Sequence, residues 1–308
     1  MTSVTFKYSL IVPHFNDIGR LERLLCSVPV GRDDIEVIIV DDCSPDQTAL
    51  DKVRTYWPYV HWLSTPKNAG AGVARNVGLH VAQGHWLLFA DSDDEFLPGA
   101  FDTFDRVLRT DDELVYFLAE AVQEVDFSPS VRSERMNELV TEYAILASEE
   151  ALQRLRMQHV VPWAKVYDRA FIKARELFFD PIRRSNDIAF NVLAAMQAGQ
   201  IRAEVIPVYR VYRRAESLTT DVSATAFLER FKADRSLAQR LAILGLRRVR
   251  SATGHMLLSL RYGPKVALHV WFLAICSPML IEWTRIFDLG RWRKFVTNYC
   301  QEVRELQK

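Results

Sequence analysis

The stretch LLFADSDDEF, residues 87–96, runs a buried-looking apolar segment directly into three carboxylates. Like charges as close as Asp91, Asp93 and Asp94 repel one another unless a divalent cation, Arg and Lys side chains or solvent surrounds them. One interpretation is a strand that ends at a ligand or metal site. The alternative is an acidic loop tip that caps a helix beginning at Pro98.

Strand-like and helix-like segments alternate along the first hundred residues. Apolar runs predict strands at YSLIVP (8–13), EVIIVDD (36–42), VHWLS (60–64) and HWLLFA (85–90). Helical spacing or a Ser-Pro start predicts helices at 17–28, 44–57 and 71–82. This order predicts an α/β fold with a Rossmann-like, mostly parallel central sheet and helices on both faces.

Polar residues collect where these predicted strands end. In such sheets, ligands bind beyond the carboxyl ends of the strands. Asp91 and Asp93 stand at i and i+2 of a segment leaving the fourth strand, so both carboxylates can address one face. Mg²⁺ and Mn²⁺ prefer oxygen ligands and would also neutralise a diphosphate. A lone D-x-D is a weak signal, but this position predicts a nucleotide and metal site.

The composition is that of an ordinary globular protein with an uneven distribution of charge. Of 308 residues, 49% are hydrophobic and 25% charged. Residues 201–308 carry a surplus of ten basic residues, which leaves a deficit of ten in residues 1–200. The opening MTSVTFKYSLIVP lacks the layout of a signal peptide, and the four cysteines show no metal spacing, so we expect a cytoplasmic protein. We expect a catalytic domain over 1–220 and a helical, basic, partly hydrophobic extension over 221–308.

Taken together, the segments resemble the family 2 glycosyltransferases of the GT-A fold. SLIVPHFND resembles the opening strand and loop of that family, VIIVDDCSPDQT its VDDGSxDxT element, and NAGAGVARNVGLHVAQGHWLLFADSDD its N-x-G-x-x-x-A-R-N-x-G helix, next strand and D-x-D. VPWAKVYDRAFI, SNDIAF and VYRRAESLT resemble elements of bacterial polysaccharide-making members. The resemblance covers residues 8–220. It implies inverting, metal-dependent transfer of a sugar from a UDP-sugar in surface polysaccharide assembly (capsule, O-antigen or exopolysaccharide).

The resemblance also implies roles for matched positions. The residues that would contact the donor are Pro13, Asp42, Arg75, Asp91 and Ser92, with Asp42 on the nucleotide base. Asp93, together with Asp91, would hold Mn²⁺ or Mg²⁺. Arg75 has the alternative of a surface position on its helix. Cys43 stands where the family has glycine, so the turn after Asp42 departs from the pattern.

Asp187 in SNDIAF is the predicted general base, which takes the proton of the acceptor hydroxyl. It matches the Asp of the family's acidic motif, and Asn186 replaces a Glu that is common there. The alternative is a helix-capping Asp. A charged carboxylate is favoured in the first turn of a helix, so a raised pKa would require burial.

Four further residues are predicted to line the acceptor or diphosphate site. Trp163 would stack on a sugar and Lys165 would bind phosphate. Arg213 and Arg214 match a loop that lies over the diphosphate. The alternatives are a core position for Trp163 and two solvated arginines.

Residues Val266–Ile281 form a run of 16 without a formal charge, which is shorter than the roughly 20 residues of a spanning helix. Basic and Trp-rich surroundings over 261–294 favour peripheral contact with the inner face of a bacterial plasma membrane, and a lipid-linked saccharide acceptor. The alternatives are docking on the protein or on a homodimer partner. Nucleic acid is not expected, since no binding motif is present.

Two other functions compete with glycosyl transfer. A sugar-phosphate nucleotidyltransferase would have a Gly- and Arg-rich phosphate loop after the first strand, where this chain has only Gly19 and Arg20. A non-catalytic nucleotide-sugar-binding or membrane scaffold would tolerate loss of the Asp187 carboxylate.

Overall fold

The computed structural model describes residues 6–29, 31–214 and 223–286. The chain divides into two compact units, Met1–Leu218 and Thr219–Lys308. The first unit contains every strand of the eight-stranded sheet. The second is helical in its described part.

The first unit alternates strands and helices as the sequence predicts. Its strands are β1 (Tyr8–His14), β2 (Ile35–Asp41), β3 (His61–Ser64), β4 (Trp86–Phe89), β5 (Glu95–Phe96), β6 (Leu114–Gln123), β7 (Lys165–Asp168) and β8 (Ile201–Arg213). Its helices are α1 (Ile18–Ser27), α2 (Gln47–Tyr56), α3 (Ala71–Val81), α4 (Ala100–Val107), α5 (Glu134–Leu146), α6 (Glu149–Gln158), α7 (Arg169–Ala174) and α8 (Ile188–Gln197). The segment 124–160, which has no clear sequence pattern, contains α5 and α6.

The sheet has the order β3-β2-β1-β4-β7-β6-β8-β5. Strands β1 to β4 are parallel to one another and β6 is parallel to β8. Strand β7 runs antiparallel to β4 and β6, and β5 runs antiparallel to β8. All seven residues of β1 are buried because the strand lies between β2 and β4 under helices. The sheet is therefore mostly parallel, and the predicted α/β fold is confirmed.

Helix α3 lies unusually close to the sheet. A Cβ on Gly78 would lie 2.6 Å from Cγ2 of Ile11 on β1. A Cβ on Gly72 would lie 2.3 Å from the carbonyl oxygen of Asp180 and 2.8 Å from Cβ of Asn186. These glycines let one helix contact both the sheet and the segment that precedes α8.

The second unit has its own apolar core. Its helices are α9 (Ala224–Ile243), α10 (Thr253–Ser259), α11 (Pro264–Ile275) and α12 (Trp283–Ile286). Phe227, Phe231, Met256, Val270 and Ala274 pack together at its centre. The uncharged run predicted from the sequence thus supplies α11 and the turn after it. No helix of the described residues is long and apolar enough to cross a membrane.

Candidate active site

The three carboxylates of the acidic cluster meet directly after β4. One oxygen each of Asp91, Asp93 and Asp94 lies within 4.8 Å of the other two. The backbone N–H of Asp94 donates to the carbonyl of Asp91 at 3.1 Å and closes the turn. A second backbone N–H, that of Tyr212 on β8, donates to the Asp94 carboxylate at 2.9 Å. The cluster is therefore held from two strands rather than left at a solvated loop tip.

Burial and mutual repulsion raise the pKa values of two carboxyl groups in this cluster. Desolvation raises the pKa of Asp93, and the charge of Asp91 raises it further. The pKa of Asp94 lies well above its usual value because the side chain is fully buried beside the other two carboxylates. A divalent cation would relieve both effects, and the donor set consists of hard oxygens. These residues therefore fit a Mg²⁺ or Mn²⁺ site.

Arginines from three separate segments also contact the cluster. Arg75 on α3 donates to the Asp91 carboxylate and Arg214 to that of Asp93. Arg23 on α1 donates to the backbone carbonyl of Asp93, and its guanidinium lies 3.7 Å from the ring centroid of Tyr212. Arg213 is exposed. The structure thus brings Arg75 and Arg214 to the predicted site, and adds Arg23.

Arg75 links the acidic cluster to the segment of the predicted base. Its side chain is buried between α3 and that segment, which excludes the alternative of a surface arginine. Besides its bond to Asp91, it donates to Oδ1 of Asn186 at 2.9 Å. The amide that replaces the family's Glu therefore serves as the acceptor of this arginine.

Asp187 occupies the N-cap position of α8 but does not act as a cap. Its side chain accepts no capping hydrogen bond from the helix, unlike Asp46 and Asp168, which cap α2 and α7. Burial raises the pKa of Asp187, and the nearby charge of Asp91 adds to this, whereas Arg75 opposes it. The capping alternative is therefore not supported, and an uncommitted, desolvated carboxylate is what a general base requires.

A buried polar network braces the same turn. Asn191 on α8 donates to the backbone carbonyl of Asp187 at 2.8 Å. Its Oδ1 accepts from Nζ of Lys165 and from the hydroxyl of Tyr167, each at 2.7 Å. The other acceptor of Lys165 is the carbonyl of His159, at 2.8 Å.

This network corrects the expectation that Trp163 and Lys165 line the acceptor pocket. Lys165 is only 2% exposed, and burial holds its pKa well below the usual value. Its Nζ contacts protein acceptors instead of an open site. Trp163 is buried and stacks on Tyr209 with ring centroids 5.9 Å apart, so the core alternative holds for it.

Asp42 lies at the carboxyl end of β2, but its carboxylate is already engaged. It accepts from the hydroxyl of Thr65 at 2.7 Å and from the N–H groups of Ala69 and Gly70 at 2.9 and 2.6 Å. In this structure Asp42 fixes the loop that leads into α3, and base recognition by its side chain stays a prediction. Cys43 adopts φ 63°, the left-handed conformation that a glycine favours, which agrees with the glycine that the family has at this position.

Pro13 and Ser92 complete the predicted donor residues. Pro13 is buried in β1 opposite Val40 of β2, and contact between its backbone and a nucleotide stays a prediction. Ser92 is partly exposed between the carboxylates of the cluster. Sequence reasoning missed Tyr209, whose hydroxyl accepts from the backbone N–H of Asp91 at 2.9 Å. A tyrosine in a predicted strand carried no signal for that contact.

Residues 9–173 match the family described as Glycosyl transferase family 2, which is more than half of the chain. This chain belongs to that family. The family 2 assignment confirms the resemblance seen in the sequence and makes the protein a glycosyltransferase. It also disfavours the nucleotidyltransferase alternative.

Individual relatives within this family share part or most of the chain. The succinoglycan biosynthesis protein ExoO of Rhizobium meliloti (strain 1021) is 29% identical over 284 residues, 86% of this chain and 80% of ExoO. The poly(ribitol-phosphate) beta-N-acetylglucosaminyltransferase TarS of Staphylococcus aureus (strain Mu50 / ATCC 700699) is 29% identical over 202 residues, 63% of this chain and 33% of TarS. This family 2 chain thus spans a third of TarS.

A solved structure of S. aureus TarS residues 1–349 in complex with UDP-GlcNAc superimposes with a TM-score of 0.60. The match covers 76% of this chain and 66% of that one at 24% identity. The likeness shows the GT-A fold for this family 2 glycosyltransferase.

Proposed function

We propose that this family 2 protein is an inverting glycosyltransferase that moves a sugar from a UDP-sugar to a saccharide acceptor during assembly of a bacterial surface polysaccharide. The observation that carries the proposal is the uncapped, desolvated carboxylate of Asp187, joined through Asn186 and Arg75 to the acidic cluster. A base and a cluster suited to diphosphate binding therefore lie at one edge of the sheet.

The relatives support the donor and the pathway of this proposal. ExoO is named for succinoglycan biosynthesis and TarS for transfer of N-acetylglucosamine, and TarS has been solved with UDP-GlcNAc. We extend to this chain a UDP-sugar donor, a saccharide or lipid-linked saccharide acceptor, and a location at the inner face of the plasma membrane.

In the proposed reaction, Asp93 and Asp91 would hold Mn²⁺ or Mg²⁺, which neutralises negative charge on the departing diphosphate. Asp187 accepts the proton of the acceptor hydroxyl while that oxygen forms a bond to the anomeric carbon. The bond from this carbon to the β-phosphate oxygen breaks, and UDP leaves with the electron pair. Attack opposite the leaving group inverts the configuration. Arg75 donates to both Asp91 and Asn186 and so fixes the position of Asp91 relative to the segment before Asp187.

Calorimetry tests the donor site. We expect UDP to bind more tightly than GDP, CMP or dTDP. UDP binding should be seen with Mn²⁺ but not with EDTA, and it should be lost in Asp93→Ala. Absence of metal-dependent binding to any of the four would remove the proposed diphosphate site.

Turnover tests the base separately. We expect Asp187→Asn to bind UDP normally but to lose about 10²- to 10⁴-fold in UDP release from UDP-sugars with a saccharide acceptor fraction. Asp46→Asn, which alters a carboxylate that only caps α2, is the matched control. Because burial raises the pKa of Asp187, turnover should fall as pH drops through a value above the usual ~4 for Asp. Full turnover in Asp187→Asn would show that another group acts as the base, whereas absence of turnover in the wild type would leave the scaffold alternative.

A further inference from the structure

Helix α11 of the second unit is apolar on two opposite faces. Ala267, Val270 and Ala274 are buried in the core of that unit. Leu268 and Phe272, on the other face, are 72% and 66% exposed. Since positions four residues apart lie on one side of a helix, these two side chains form a continuous exposed strip with Ile275.

The strip continues onto the end of α9. Ile243 is 84% exposed, and a cavity of about 710 Å³ has both Ile243 and Ile275 in its wall. The side chains of Arg247 and Arg248 line the same cavity. We call the surface formed by Ile243, Leu268, Phe272, Ile275 and these two arginines the C-terminal face.

The C-terminal face lies in a strongly basic part of the chain. Residues 223–286 contain ten Lys and Arg but only three Asp and Glu. Of those acidic residues, Asp234 pairs with Arg250 and His255. Arg247 and Arg248 are exposed, and no ion pair is seen for either within the described residues. Among the residues that the structure describes, these two cationic groups therefore border the apolar strip without an ion-pair partner.

Charge decides which partner fits this face. A second copy of the chain would bring the same arginines together, so self-association through the face is opposed by repulsion. Nucleic acid would leave the large apolar side chains without a matching surface. An anionic lipid surface satisfies both parts, with phosphates against the arginines and the acyl boundary against the strip.

We propose that the C-terminal face docks on an anionic phospholipid membrane, with Arg247 and Arg248 on lipid phosphates and Leu268, Phe272 and Ile275 at the acyl boundary. The apolar strip lies within residues 261–294, the stretch expected from the sequence to contact a membrane, and the structure adds Ile243, Arg247 and Arg248 to it. Of that stretch, Arg291, Trp292, Arg293 and Lys294 fall outside the described residues. The inference rests on the membrane location given in the proposed function and names the surface that makes the contact; the docking itself requires neither a donor nor turnover.

Vesicle sedimentation of the full chain tests the docking. We expect binding to vesicles of phosphatidylcholine mixed with phosphatidylglycerol, little binding to phosphatidylcholine alone, and weaker binding at high salt. Replacing both arginines by alanine should lower the partition coefficient roughly 25-fold, from about fivefold for each basic residue. Leu268→Asp with Phe272→Asp should lower it about tenfold or more.

A matched variant controls for the loss of an exposed apolar side chain. Ile145→Asp changes a residue of α5 in the first unit that is 73% exposed, and it should bind vesicles like the wild type. Circular dichroism and urea unfolding should show every variant folded, because the changed side chains lie on the surface.

Three outcomes would overturn the inference. The first is equal binding to neutral and anionic vesicles, and the second is no vesicle binding by the wild type. The third is a wild-type dimer that Phe272→Asp turns into a monomer without any change in vesicle binding, which would make the face a contact between copies. UDP binding measured on the same samples separates a failure of docking from a failure of the donor site.

Discussion

Replacing Asn191 by leucine removes the centre of the network behind the predicted base. Asn191 is fully buried, and leucine has a similar branched shape but a larger side chain, so the change leaves no cavity and adds some crowding. It takes one acceptor from Lys165 and one from Tyr167. It also removes the side-chain donor to the carbonyl of Asp187, which keeps only the helical bond from the backbone N–H of residue 191.

The loss of stability depends on the hydrogen-bond acceptors that Lys165 and Tyr167 retain. Lys165 keeps the carbonyl of His159 at 2.8 Å, while Tyr167 keeps only the carbonyl of Pro162 at a long 3.4 Å. A buried donor that loses its partner costs roughly 1–3 kcal/mol. Two such losses, partly offset by the apolar gain of leucine, predict a decrease of about 2–4 kcal/mol in the free energy of unfolding.

Urea unfolding measures this decrease, and a change at the far end of the same helix controls for it. Gln197→Leu removes one weak bond to the carbonyl of Leu193 at 3.3 Å, so its free energy of unfolding should stay within about 0.5 kcal/mol of the wild type. Turnover of Asn191→Leu should fall while UDP binding is kept, because the turn of Asp187 loses its brace but the acidic cluster is unchanged. Equal stability of the two variants would refute the reasoning.

Two further predictions concern the packing and the charge of the same region. Gly72→Ala should lower the free energy of unfolding in urea by about 2 kcal/mol or more, and should lower turnover, because its Cβ would clash with the carbonyl of Asp180. The control is Gly254→Ala on α10, whose Cβ would meet nothing within 4 Å and which should not be destabilised. Equal losses of stability in the two variants would contradict this prediction. Burial lowers the pKa of Lys165 in the folded protein. At pH values between this lowered pKa and the unfolded pKa of about 10.4, the unfolded chain binds one more proton than the folded protein. The free energy of unfolding therefore rises with pH by at most about 1.4 kcal/mol per pH unit. The free energy of unfolding in urea, measured at pH values just below the unfolded pKa, should rise with this slope in the wild type and not in Lys165→Met; an unchanged slope in the variant would assign it to other groups.

Elements of the fold could be predicted from local sequence because burial on two faces leaves a local pattern. Strand β1 lies between two strands and under helices, so its residues are almost uniformly apolar over YSLIVP. Motif spacing placed Asp91 and Asp93 after β4, which the structure confirms as their location.

Side-chain partners were not predictable because they depend on contacts distant in the chain. Lys165 has the residue type of a phosphate ligand, and only its bond to Asn191, 26 residues further on, shows that it is structural. Arg75 meets Asn186 at a separation of 111 residues. Residue type gives the available chemistry, whereas burial and partner decide which part of it is used.

The acidic cluster and the predicted base form one mechanical unit. The contacts run from Asp91 through Arg75 to Asn186, and the next residue in the chain is Asp187. Because Arg75 is buried and donates to both Asp91 and Asn186, it holds the turn that carries the predicted base next to the donor-side carboxylate. The negative charges of DSDD would repel one another in an isolated loop. In the folded protein the charge of Asp91 instead binds the guanidinium of Arg75 and holds it in place. Through this contact, the acidic cluster also holds the predicted base beside it.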